Sequence, residues 1–232
     1  MWALLPLKDF VQAKQRLAGC LTVSERRGLF HAMVEDVLTV LAAHPGFERI
    51  VVVSDDPAAQ LLAEHFGIDC WSERGLGRSG LNGVVAAALQ EMATLTQSES
   101  KVSVAMVIHG DLPLLGEKEL DLLISQHAAL TLAHPSAVSI ATDRHGRGSN
   151  ILMCDPARVP ALSYGRDSCA AHQAGIAQDI DTQEDLQRLL AMIALPAAER
   201  TLAYLHQNGI AQRLKQLANG AANTPVPTWS VV

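Results

Sequence analysis

The chain has 232 residues, 49% of them apolar and 18% charged, with 18 Lys and Arg against 24 Asp and Glu. That length suits one α/β domain with room for an appendage, and the apolar share excludes a wholly disordered chain. The net charge of −6 argues against a general nucleic-acid surface, which needs a basic face, yet allows a local basic cluster around a small anionic ligand.

No run of about 18 apolar residues exists, so no membrane span is expected. The opening MWALLPLKDF has no basic lead-in and meets Lys8 and Asp9 too early for a signal peptide. Cys20, Cys70, Cys154 and Cys169 form no CxxC pair. The expectation is a cytoplasmic protein with free thiols.

Ala3 to Leu5 reads as a first strand, stopped by Pro6, with the basic loop KDFVQAKQRLAG after it. Ser24 is the expected N-cap of a helix on which Leu29, Met33, Val37 and Leu41 share one face, and His44-Pro45-Gly46 ends it. Ile50 to Val53 is a β-branched run suited to a strand buried on both faces. A helix to about Phe66 and a short strand at Ile68 to Trp71 follow. The Gly-rich segment Gly75 to Gly80 leads into a helix over Leu81 to about Leu95. Lys101 to Ile108 is the strongest strand, and a helix covers about Glu117 to Leu130. Ala137 to Ala141 and Ile151 to Met153 read as strands around a polar loop, and Asp179-Ile180-Asp181-Thr182 precedes a helix to about Ile193. The alternation predicts a three-layer α/β/α, Rossmann-like fold with a mostly parallel, doubly wound sheet. Residues 1–193 form the expected main domain. Residues 194–218 form a helical appendage, able to pack on its own domain or on a second subunit as a homodimer. Residues 219–232 form a loose tail.

Open α/β sheets bind ligands beyond the carboxyl ends of their strands. The first exit carries Lys8, Lys14 and Arg16, cations suited to phosphate groups or to solubility alone. The exit after Ile108 carries Asp111, a candidate Mg²⁺ ligand, with Gly110 allowing a sharp turn. Asp179 and Asp181 lie on the same side of an extended segment, or Asp181 caps the following helix. With Asp111 they could share one Mg²⁺ and serve phosphoryl or nucleotidyl transfer. Gly146 to Asn150 and Gly165 to Ser168 are candidate anion-holding loops or ordinary turns. Gly75 to Gly80 spells GxGxxG but follows the third strand, so it is set aside as a dinucleotide motif.

The order of LLPLKDFVQAKQRLAG, Gly80-Leu81-Asn82, HGDLPLL, DRHGRGSNILM, YGRDS and DIDTQEDL resembles the CofC/FbiD guanylyltransferases of deazaflavin (coenzyme F-420) biosynthesis, over about residues 2 to 193. The resemblance implies the nucleotide-diphospho-sugar transferase fold. It implies attack of a phospho-acid on the α-phosphorus of GTP, with loss of pyrophosphate. The acid would be 2-phospho-L-lactate, phosphoenolpyruvate or 3-phospho-D-glycerate. It implies that Asp111 and Asp179 hold the divalent metal, with Asp181 beside them. Ser149, Gly165 and Ser168 would hold the phospho-acid. Lys14 and Arg16 would face the triphosphate, Leu81 and Asn82 would lie near the base, and Lys8 would also bind GTP. In that family a helix and a strand separate the YGRDS loop from the DIDT segment; here only Cys169 to Gln178 intervene. A different nucleotidyltransferase of the same fold (of the molybdopterin or sugar-phosphate type) and a catalytically silent GTP-binding protein are the rival readings.

Overall fold

The computed structural model describes residues 1–97, 104–143, 148–159, 180–191 and 198–222. Among them run six strands in one sheet: β1 (Trp2–Pro6), β2 (Arg49–Val53), β3 (Asp69–Trp71), β4 (Ala105–Ile108), β5 (Ser139–Thr142) and β6 (Ser149–Cys154). Their order across the sheet is β3-β2-β1-β4-β6-β5. The helices are α1 (Val23–Ala43), α2 (Pro57–Phe66), α3 (Leu81–Gln97), α4 (Glu117–Ala133), α5 (Gln183–Ala191), α6 (Glu199–Gln207) and α7 (Ile210–Ala222).

The central strands bury both faces, which is why β1, β2 and β4 read as unbroken apolar runs. Ala3, Leu5, Val52, Met106 and Ile108 face one core with α1, α2, α4 and the C-terminal helices. Trp2, Leu4, Val51, Val53 and Val107 face the other, beneath Val85, Leu89 and Met92 of α3. These are the three expected layers.

β1 pairs in parallel with both β2 and β4. The chain winds outward from β1 through β2 to β3, and α3 then returns it to β4 on the far side of β1. Strand order therefore reverses between β1 and β4, where such sheets open a crevice beyond their carboxyl ends. The sheet is mostly parallel, as expected, with β6 the exception: it runs antiparallel to both β4 and β5. Only a short loop joins β5 to β6, and strands so closely joined cannot run parallel.

The caps also differ from expectation. Thr22, not Ser24, caps α1. Glu25 N–H donates to the Thr22 hydroxyl, and Glu25 Oε2 accepts from Thr22 N–H at 2.9 Å, a reciprocal capping box. Ser24 lies inside the first turn. The C-terminal helices pack on the chain's own α1. Gly28 leaves room for this: a Cβ there would lie 2.1 Å from Tyr204 Oη. Ala198, at the start of α6, has a positive φ of 64° and no capping side chain of its own. Asp36 of α1 supplies the cap, accepting from Arg200 N–H at 3.0 Å, Thr201 N–H at 2.9 Å and the Thr201 hydroxyl at 2.6 Å. Burial nevertheless pushes the Asp36 carboxyl above its ordinary range. No helix among the described residues is long and apolar enough to cross a membrane.

Candidate active site

The crevice at the strand reversal is a cavity of about 320 Å³, floored by Pro6 at the end of β1 and by His109, Gly110 and Asp111 beyond β4. Two local features shape its floor. Phe10 N–H, in the loop after β1, donates to Asp56 Oδ2 at 2.7 Å, tying that loop to the start of α2. Gly110 is needed for space and not for a turn. A Cβ there would lie 2.7 Å from Leu7 Cδ2 and 2.9 Å from Val34 Cγ2, and its φ is not positive. The absence of a side chain lets the two strand exits close on each other.

Lys14 is the hub. Its ammonium donates to Asp111 Oδ2 at 2.5 Å and to Asp181 Oδ1 at 2.8 Å. Arg16 Nη1 donates to Asp181 Oδ2 at 2.8 Å. Three segments distant in sequence thus meet in one charged cluster. Lys14 adopts a left-handed backbone, φ 54° and ψ 41°, one of two non-glycine residues with positive φ among those described. Such conformations cost about 1–3 kcal/mol and persist where surrounding contacts enforce them. The 3-10 turn Gln15–Leu17 that follows aims Arg16 at the same carboxylate.

Asp181 is free to do this because another residue caps α5. The Thr182 hydroxyl accepts from Asp185 N–H at 3.3 Å, while Asp185 Oδ2 accepts from Thr182 N–H at 2.8 Å and Asp181 N–H at 3.2 Å. The alternative in which Asp181 caps the helix is thereby corrected.

Burial opposes the charge on Lys14, but Asp111 and Asp181 outweigh it and hold the ammonium above its ordinary pKa. Burial likewise opposes ionisation of Asp111, and the Lys14 ammonium overcomes it, holding the carboxyl below its ordinary range. Asp111 is therefore a carboxylate throughout the neutral range. Burial pushes His109 down, helped by Lys14 and opposed by Asp111, so its ring stays neutral there.

A divalent cation is the group such a cluster would hold. Asp111 Oδ1 is buried and has no hydrogen-bond partner among the described residues. With Asp181 it offers hard oxygen donors, and Mg²⁺ commonly takes only one or two protein carboxylates beside substrate phosphates. The donor set fits. Among the described residues no three His, Cys, Asp or Glu side chains cluster as a metal site. Asp179 lies outside the described residues.

The other expected residues divide. Lys8 and Leu81 line the cavity. Asn82 is exposed in the first turn of α3 and does not line it. Ser149 is buried at the start of β6, opposite Thr142 of β5, and is not part of the cavity wall. Gly165, Ser168 and the short Cys169 to Gln178 connection lie outside the described residues. Five lining residues, Gln12, Ala13, Gln15, Phe30 and His109, carry no role predicted from the sequence. His109 could have been found from its place beside Gly110 and Asp111 at a strand end.

A family profile described as "Guanylyl transferase CofC like" matches residues 1–221. The chain belongs to this family. A phosphoenolpyruvate guanylyltransferase from Conexibacter woesei is 35% identical over 212 residues, covering 83% of this chain and 88% of the relative. One from Rhodococcus erythropolis is 28% identical over 223 residues, covering 88% and 96%. Among solved structures, a protein assigned as a nucleotide-diphospho-sugar transferase from Desulfovibrio desulfuricans G20 superposes with a TM-score of 0.63 at 15% identity, covering 93% and 96%. A cytidylyltransferase from Leptospira borgpetersenii gives 0.51 at 14% identity, covering 98% and 99%. Those two likenesses establish the fold. This CofC-like chain therefore carries its charged cluster at the strand reversal of a nucleotidyltransferase fold.

Proposed function

We propose that this chain transfers the guanylyl group of GTP to the phosphate of a small phospho-acid in deazaflavin coenzyme biosynthesis. Phosphoenolpyruvate is the first acceptor to test, because the relatives are named for it. The observation that carries the reading is the convergence of Lys14, Arg16, Asp111 and Asp181 at the strand reversal.

In the reaction an acceptor phosphate oxygen forms a bond to the α-phosphorus of GTP. The bond from that phosphorus to the oxygen bridging to the β-phosphate breaks, and pyrophosphate leaves. The attacking oxygen is already anionic at neutral pH, so the site needs no general base. It must bring two anions together and neutralise the charge that grows on the leaving group. Lys8, Lys14 and Arg16 supply that positive charge from one loop. Arg16, largely exposed, can reach a phosphate at the mouth of the cavity, while the buried Lys14 holds charge at its floor.

Asp111 and Asp181, with Asp179 by family resemblance, would hold Mg²⁺. Bound there, the ion would neutralise phosphate charge and orient the α-phosphate. Ser149, Gly165 and Ser168 are the proposed phospho-acid residues. The substrates are small molecules. The net charge of −6 is the ground for expecting no nucleic-acid partner.

The test is incubation with GTP, Mg²⁺ and each of phosphoenolpyruvate, 2-phospho-L-lactate and 3-phospho-D-glycerate, followed by product mass and released pyrophosphate. A guanosine diphospho-acid in equal amount to pyrophosphate is expected with phosphoenolpyruvate. Folded protein that binds GTP but releases no pyrophosphate with any acid would favour a silent binding protein.

A further inference from the structure

A second hollow, of about 300 Å³, adjoins the charged cavity and shares Pro6, Lys8, Gln12 and Leu81 with it. It does not include Asp111 or Asp181, so it leads past Lys8 away from those carboxylates. Leu7, Leu81 and Val84 give it apolar walls. Its two acids are Asp9 and Glu73. Asp9 is occupied: its Oδ1 accepts from Val11 N–H at 2.7 Å and from Gln12 N–H at 3.4 Å. Glu73 is half-buried, and its carboxylate has no hydrogen-bond or ion-pair partner among the described residues.

The Gly-rich segment that follows, set aside above as a dinucleotide motif, fixes Glu73. The Ser72 hydroxyl beside it donates to Asp55 Oδ1 at 2.6 Å and accepts from Gly75 N–H at 3.1 Å. Leu76 N–H donates to the Ser72 carbonyl at 3.1 Å and Gly77 N–H to the Arg74 carbonyl at 3.0 Å. Gly77 and Gly80 have φ of 65° and 75°, which a side chain would resist, and Gly80 hands the chain to α3. Glu73 therefore sits on a hydrogen-bonded turn in the wall of a largely apolar slot that also holds Lys8, one of the cations that would meet a triphosphate.

A carboxylate is an acceptor with two oxygens and no hydrogen to give. Guanine presents two adjacent donors, N1–H and the N2 amino group, on one edge of a flat ring. Adenine presents a bare acceptor at N1 and would face the carboxylate lone pairs. Ring faces want apolar walls, and the edge wants a few placed polar groups. Leu81 and Val84 offer the first and Glu73 the second.

We propose that Glu73 is the residue that selects guanine, accepting from N1–H and the N2 amino group of a base lying in this slot. The proposal rests on the guanylyltransferase reading for the identity of the base. Its test is equilibrium binding of GTP and of ITP, which lacks the N2 amino group, to the full chain and to its Glu73→Gln and Glu73→Ala variants, with melting curves for each. A site built to bond a donor rejects the analogue that lacks it. The wild type should bind GTP about 10-fold or more tightly than ITP, the worth of one bond to a charged group. Glu73→Gln should weaken GTP by roughly 10- to 100-fold, weaken ITP less, and bring the ratio of the two near one. Melting temperatures should stay close to the wild type, since the side chain makes no hydrogen bond or ion pair among the described residues. Equal binding of GTP and ITP by the wild type, or a variant that folds and keeps the wild-type ratio, would overturn the proposal. A wild type that shows the Glu73-dependent preference but transfers no guanylyl group would uphold Glu73 and defeat the transferase reading.

Discussion

Replacing Lys14 with Met removes the ammonium that two carboxylates face, and Asp111 is the one left stranded. Its side chain is 19% exposed and that of Lys14 only 4%. Removing one partner of a buried pair costs roughly 3–5 kcal/mol; the remaining solvent opening at Asp111 puts the expected loss near the lower end, about 3 kcal/mol. Asp181 adds little, because it is 34% exposed and keeps Arg16. The sign with pH follows from the two directions. Asp111 is held low in the folded chain, so its contribution is present above the ordinary aspartate range and lost as pH falls through the depressed value. Lys14 is held high, so its contribution is present below the ordinary lysine value of 10.5 and lost as pH rises through the raised one. The pair stabilises across the window between. In Lys14→Met the Asp111 carboxyl loses its cation and titrates higher, so the deficit should be largest near neutrality and shrink toward about pH 4. Asp111→Asn added to Lys14→Met should recover most of the stability and none of the guanylyl transfer. Urea unfolding at the two pH values, in buffer with EDTA, measures this. A single variant as stable as the wild type at neutral pH, or a double variant no more stable than the single, would refute the reasoning.

Gly28→Ala should change sign with its neighbour. In the wild type the new Cβ drives into the Tyr204 ring and should cost about 1–3 kcal/mol; in a Tyr204→Ala background it should gain up to about 1 kcal/mol of helix propensity, both read by denaturation. Asp36→Ala strips three acceptor contacts from the start of α6 and should cost about 1–3 kcal/mol, with amide exchange in α6 rising before the rest of the chain. Ser149→Ala should raise the KM for the phospho-acid and leave GTP affinity unchanged; an altered GTP affinity with an unaltered acceptor KM would remove Ser149 from the acceptor site.

Much of this was legible because strand exits are easy to find. β4 is an apolar run followed by a carboxylate, and β1 is one followed by three cations, so Lys14 and Asp111 stood out before any fold was known. Asp181 was only half legible. Two roles fitted it, and the choice depended on Thr182 and Asp185 taking the cap. Ser24 looked like a cap by residue type, but Thr22 with Glu25 supplies both halves of a reciprocal box. The antiparallel β6 was hidden by reading each short apolar run alone, without asking what could join it to β5. Gly28 gave no signal, since its reason is Tyr204, far along the chain. Glu73 lies two residues before the GxGxxG at Gly75 to Gly80, outside any motif, and only the adjoining hollow shows what it faces.

The central claim is that the carboxylate at the end of β4 acts in guanylyl transfer and is not merely a structural partner of Lys14. The direct measurement is pyrophosphate released from GTP in the presence of phosphoenolpyruvate and Mg²⁺, for the wild type and for Asp111→Asn, with melting curves confirming that both are folded. Release that depends on the acid in the wild type and falls by about 10²- to 10³-fold in the variant is predicted, as for loss of a group that stabilises transition-state charge. Folded Asp111→Asn that releases pyrophosphate at the wild-type rate would contradict it.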